Sequence, residues 1–134
     1  MTQDWIWVAT EVAIAAHAEQ LAEHGGGEGV RDPGALESAM ARPRNLAAYG
    51  DPDAAALAAA YAFGIARNHP FVDGNKRSAA VVSEAFLNLN GYELDRSDAE
   101  VVVAFLALAA GELREEEMAD WFRERLAGGT AALP

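Results

Sequence analysis

The chain carries its own helix punctuation. Asp32-Pro33 reads as an N-cap followed by proline at the first helical position, and Asp53 precedes an alanine-rich run. Asn75 follows a glycine at the head of an apolar segment of helical period, and Ser97-Asp98-Ala99-Glu100 has the spacing of a capping box. The stops are as plain: Gly25-Gly26-Gly27, Pro43, Asn90-Gly91 and Gly111. The expected fold class is therefore all-α, a helical bundle. Its first helix runs from about Thr10 as N-cap to His24, and the second from Pro33 to about Arg42, where Pro43 ends it. A third delivers Arg67 and His69 to its C-terminal end, and a fourth runs from Asn75 to Asn90. The fifth, to about Ala110, is apolar on nearly every face and is expected to be central. The last, Glu115 to Leu126, can turn Met118, Trp121, Phe122 and Leu126 inward. Trp5-Ile6-Trp7-Val8 reads as a short extended arm. The stretch from Pro43 to Pro52, with Tyr49 and Gly50, lacks helical period and is expected to form a short flap beside the loop between the third and fourth helices. No internal repeat is visible.

At 134 residues and 51% hydrophobic, the chain can bury one core, and a single domain over 1–134 is expected, with a poorly ordered tail at 127–134. With 21 acidic and 10 basic residues the formal charge is −11, the opposite of a nucleic-acid binder's basic footprint. That balance suits a basic partner and argues against direct nucleic-acid binding. No apolar run approaches the ~20 residues needed to span a bilayer, Val101 to Ala110 being too short. No basic segment followed by an apolar stretch marks a signal peptide. Zero cysteine rules out disulfides and thiolate metal sites and is compatible with a cytoplasmic location.

Against this acidic background, His69-Pro70-Phe71-Val72-Asp73-Gly74-Asn75-Lys76-Arg77 gathers an imidazole, a carboxylate, a glycine turn and two cations, including the only lysine of the chain. Gly74 permits positive φ and close approach of a ligand to the backbone. A helix starting at Asn75 offers unpaired N–H groups and the positive end of its dipole, where phosphate oxygens bind best. Lys76 and Arg77 add formal charge. Asp73 is placed to hold Mg²⁺, which prefers one or two carboxylates plus phosphate oxygens. Histidine is the residue type in this run suited to take or give a proton near neutrality, which makes His69 the candidate base, and Phe71 is expected to face inward as the loop's anchor. Taken singly, these residues also read as a polar interhelical loop with an exposed His69 and a helix-capping Asp73. A phosphate site explains why all of them occur together.

The nine residues resemble the Fic/Doc signature: His, any residue, Phe, any residue, Asp or Glu, Gly or Ala, Asn, Gly or Lys, Arg. The resemblance extends from about Gly25 to the last helix through Asp32-Pro33-Gly34, Tyr49-Gly50, Asn90-Gly91-Tyr92 and Ala110-Gly111-Glu112, and within the family is nearest the Doc branch, the death-on-curing toxins of toxin–antitoxin pairs. It implies that His69 is the general base toward a protein hydroxyl, that Asp73 holds Mg²⁺, and that Asn75 and Arg77, with Gly74, Lys76 and Arg67, form the nucleotide-phosphate site. Fic adenylyltransferases have Gly at the position of Lys76 and a second Arg at that of Ala80. This chain shares both departures with Doc, which implies presentation of the γ-phosphate of ATP and phosphorylation of elongation factor Tu. Gly74 is Fic-like, where Doc has Ala, so protein adenylylation stands as the alternative. The run Ser or Thr, three residues, Glu, Gly or Asn that marks self-inhibited Fic proteins does not occur. The resemblance therefore implies inhibition in trans by a Phd-like antitoxin, bound as a helix in a groove. A non-catalytic antitoxin-binding protein is a third reading, and a hydrolytic metal site ranks last, because one His and one Asp are too few ligands.

Other residues carry blander readings. His17 lies among apolar residues of the first helix and reads as a hydrogen-bonded packing residue, and His24 as a cation at a helix C-terminus. Trp5 and Trp7 alternate as core or contact residues. Glu115-Glu116-Glu117 reads as a charged first turn. Arg42 and Arg44 flank the expected flap, either assisting a nucleotide or serving as plain surface.

Overall fold

The computed structural model describes residues 4–128. Among them six helices and one small sheet follow in the order α1 (Thr10–His24), α2 (Pro33–Tyr49), α3 (Ala54–Asn68), α4 (Asn75–Leu89), β1 (Tyr92–Leu94), α5 (Asp98–Ala109), α6 (Glu115–Arg125) and β2 (Leu126–Gly128). The all-α expectation holds, and most of the caps fall where the sequence puts them. The Asp32 carboxylate accepts from the Ala35 N–H, that of Asp53 from Ala56, and Ser97 and Glu100 close a reciprocal capping box. The N-cap of α1 is Ala9 and not Thr10. No described helix is long and apolar enough to cross a membrane.

The central helix is α3. Of its residues only Ala56, Phe63, Arg67 and Asn68 escape burial, and it packs against α2, α4, α5 and α6. Alanine makes this possible, because small side chains let several neighbours approach one axis. Gly64 marks the tightest approach: a Cβ there would lie 3.0 Å from the Ala39 Cα of α2. The expectation that α5 is central is thus corrected. Only Ala104, Phe105 and Leu108 of α5 are buried, while Val102, Val103 and Leu106 stand exposed.

A second correction concerns residues 43–52. Helix α2 continues through Pro43 to Tyr49, leaving only a short link before Asp53, so no separate flap forms. Proline here removes just one N–H, the donor to the Ala39 carbonyl, and its ring is fully buried. Tertiary packing outweighs that lost bond. The third correction is at the tail: residues 126–128 form β2, antiparallel to β1, with Tyr92 opposite Gly128, while 129–134 lie outside the described residues. Among the described residues the N-terminal arm before α1 forms neither helix nor strand. Its backbone is held by Asn90, which bonds both the N–H and the C=O of Ile6 (2.9 and 3.0 Å), and by the Tyr61 hydroxyl, which accepts from Val8 (2.9 Å). Trp5 and Trp7 both rest on Phe86.

Candidate functional site

Helix α3 ends in a residue that helices seldom use. His69 is left-handed (φ 49°, ψ 56°), the one non-glycine residue with positive φ among those described. Such a conformation costs roughly 1–3 kcal/mol and persists only when its surroundings enforce it. Here the enforcement comes from Arg31. Its guanidinium donates to the His69 carbonyl (2.6 and 2.9 Å) and to that of Asn68 (3.2 Å). The N–H groups of Arg31 and Asp32 donate to Pro70, that of Val72 donates to Gly29, and Val30 bridges Phe71. Residues 29–32 are thus a strap across the loop between α3 and α4. The His69 side chain is left exposed.

Phe71 is the inward anchor expected, fully buried and stacked on His17 with centroids 3.9 Å apart. The Asn75 amide closes the loop on itself, accepting from the Phe71 N–H (2.9 Å) and donating to its C=O (3.1 Å). That side chain therefore shapes the loop, and what Asn75 offers a ligand is its backbone N–H at the head of α4. The N-cap Gly74 is left-handed (φ 74°) and supplies no side-chain cap, so the first-turn N–H groups at Asn75, Lys76 and Arg77 stay open to an anion.

Asp73 sits just before this helix start. One carboxylate oxygen accepts from the Gly74 N–H (2.8 Å), and its carbonyl accepts from Nε2 of His17 (2.7 Å). The other carboxylate oxygen faces Gly26, where any Cβ would lie 2.8 Å away. The glycines after α1 read in the sequence as a helix stop, and they also make room for this carboxylate. Among the described residues no three His, Cys, Asp or Glu side chains gather as a metal-holding group. Asp73 alone suits a cation whose remaining ligands are phosphate oxygens and water.

Lys76 and Arg77 line one groove of about 470 Å³ with Ala80 of α4, Gln20 and His24 of α1, and Asp98 and Leu106 of α5; neither His69 nor Asp73 lines it. Arg67 is not part of it; its guanidinium lies over the Phe63 ring (5.3 Å), beside Gly111. The ring carries Arg42 as well (4.7 Å), and Arg42 is tied to Glu115, a surface role. Charge is sorted by this arrangement. Arg42, Arg96, Arg114, Arg123 and Arg125 pair with carboxylates. Among the described residues the cations without such a pair are Arg31, Arg67, Lys76 and Arg77, in or near the loop, and Arg44 over Trp7.

A profile of the Fic/DOC family matches residues 7–87, from the arm through α4 and including the whole loop. The chain belongs to the Fic/DOC family. It is 34% identical over 117 residues to a protein of Escherichia phage P1 named protein kinase doc, covering 87% of this chain and 92% of that one. It is also 45% identical over 73 residues to a protein of Mycolicibacterium smegmatis named toxin Doc, covering 52% and 55% of the two chains. In this Fic/DOC chain the residues that sequence reasoning missed are Arg31 and Gly26. A lone arginine carries no local sign that it grips a carbonyl 38 positions away. The glycine run was a visible signal whose partner was not.

Proposed function

We propose that this protein is the toxin of a type II toxin–antitoxin system, a Doc-type protein kinase that phosphorylates a Ser or Thr hydroxyl of a cytoplasmic protein. The target class the family resemblance favours is elongation factor Tu, whose modification would block translation. The observation that carries the reading is the start of α4, which has no side-chain cap, follows directly on Asp73 and carries Lys76 and Arg77 in its first turn. The phage relative's name supports kinase chemistry, and the Mycolicibacterium smegmatis relative's name supports a toxin.

In this mechanism His69, exposed at the loop's edge, takes the proton of the target hydroxyl. The hydroxyl oxygen bonds to the γ-phosphorus of ATP, the β–γ bridging bond breaks, and ADP leaves with the electron pair. The α4 N–H groups, Lys76 and Arg77 hold phosphate oxygens, and Asp73 supplies the carboxylate for Mg²⁺. When bound, Mg²⁺ neutralises phosphate charge and orients the chain of phosphates. Arg67 lies two residues before His69 and would meet the nucleotide or target from the Phe63 side. A Phd-like antitoxin would restrain the enzyme in trans.

Gly74 favours a second reading, protein adenylylation, because Fic transferases share that residue. Incubation with a bacterial lysate and ATP labelled at either the α or the γ phosphate separates the two. Label from γ alone on protein is the expected result. Transfer of α label would establish adenylylation, and no transfer would leave a non-catalytic antitoxin-binding protein.

A further inference from the structure

We propose that His17 of α1 is a positioning residue for Asp73, holding the metal-carrying carboxylate in place through the backbone of the loop; this rests on the reading of Asp73 as the Mg²⁺ ligand. His17 is 3% exposed, and its ring lies flat on Phe71, 3.9 Å between centroids and 5° from parallel. Its Nε2 donates to the Asp73 carbonyl at 2.7 Å, joining residues 56 apart. Packing alone needs no such bond, since a phenylalanine or leucine would fill the space. The donor is present in the Nε2–H tautomer and in the imidazolium but not in the Nδ1–H tautomer, so the carbonyl selects the form that holds it.

Asp73 is thereby restrained at two points and given room at a third. His17 holds its carbonyl, the Gly74 N–H holds one carboxylate oxygen, and the absence of a side chain at Gly26 leaves space for the other. Helix α1 supplies one of the holds and the glycines that end it the space, although neither belongs to the nine-residue motif. A carboxylate that is a cation's single protein ligand has no neighbouring ligand to correct a misplacement. Outer contacts of this kind typically govern metal affinity by about 10- to 100-fold.

The test compares His17→Phe, which keeps the stack and loses the donor, with His17→Gln, which keeps an N–H donor at similar reach. Calorimetric titration of ATP with and without Mg²⁺ is run on both, on the parent and on Asp73→Asn. The Phe variant should lose about 10-fold or more of the Mg²⁺-dependent gain in affinity, approaching Asp73→Asn, while the Gln variant keeps most of it. Unchanged Mg²⁺ dependence in the Phe variant, or equal losses in both, would overturn the proposal. Amide hydrogen exchange at Gly74 supplies a readout free of nucleotide, because that N–H is bonded to the Asp73 carboxylate. Exchange should be faster in the Phe variant than in the parent or the Gln variant. If the parent shows no Mg²⁺-dependent binding, the metal reading fails. Exchange then decides alone whether His17 holds the loop, and equal rates in parent and Phe variant sink the idea. Should the Phe variant not fold, His17→Met, flexible and without a donor, takes its place.

Discussion

At the scale of single residues, the site puts its strain where its chemistry is proposed. His69 is held left-handed by bonds to its carbonyl and not to its ring, so the imidazole is free while its backbone is not. His69→Ala should leave the fold intact, since the side chain is exposed, and reduce transfer to protein by roughly 10²- to 10⁴-fold, the usual contribution of a general base. Label transfer and a thermal melt on the same sample check both halves. Lys76 and Ala80 carry the choice of phosphate. Ala80 is only partly buried and lines the same groove as Lys76 and Arg77, so an arginine there has somewhere to go. Lys76→Gly with Ala80→Arg should move activity toward adenylyl transfer, because a guanidinium takes phosphate oxygens bidentately and an ammonium does not. Lys76→Ala alone should only lose activity. The mass added to the target protein distinguishes these outcomes.

At the scale of elements, stability concentrates where α2 crosses α3. A methyl group on Gly64 would meet the Ala39 Cα at 3.0 Å and its carbonyl oxygen at 3.3 Å, the carbonyl that Pro43 leaves without a helical donor. Backbone cannot step aside as a flexible side chain can. Gly64→Val should therefore cost about 3 kcal/mol, the upper part of the range for overpacking, measured by urea denaturation. The start of α3 carries a pH dependence. Arg123 donates to both carboxylate oxygens of Asp53 (2.7 and 3.0 Å), and with the Ala56 N–H this holds the carboxyl below its usual range against the opposing effect of burial. A depressed folded pKa stabilises above the ordinary value of about 3.9 and loses that contribution as pH falls through the folded value. Asp53→Asn keeps a capping side chain and removes the charge. It should lower stability at pH 7 by less than about 1 kcal/mol, because the pair is half-exposed, and by nothing near pH 2. Thermal melts across that range would show the difference closing from pH 5 downward.

Over the whole molecule, a formal charge of −11 is arranged so that most of the unpaired cations gather in or near one loop. Opposite responses to salt follow. Screening should weaken ATP binding at the loop while relieving repulsion among the acidic residues elsewhere. Raising sodium chloride from about 50 to about 500 mM should lower the affinity for ATP and leave the thermal midpoint unchanged or higher. A parallel fall of both would mean that the cations chiefly hold the fold together.

Helix starts, the helix-then-turn form of the site and the inward Phe71 were legible along the chain, because caps, glycine turns and apolar period act within a few residues. So were the bundle class and the groups assembled between His69 and Arg77, which are contiguous. The continuation of α2 through Pro43 was not, since burial of the proline ring against distant residues outweighs a local breaker. Nor was the peripheral place of α5: its composition suits burial, but the alanine helix α3 lets neighbours closer and takes the centre. The hold of Arg31 on His69, the seat of Asp73 against Gly26 and the bond from His17 each join residues 38 to 56 positions apart. Contacts at that separation leave no pattern in a single sequence, because either partner alone is compatible with many neighbours and only the folded chain brings the two together.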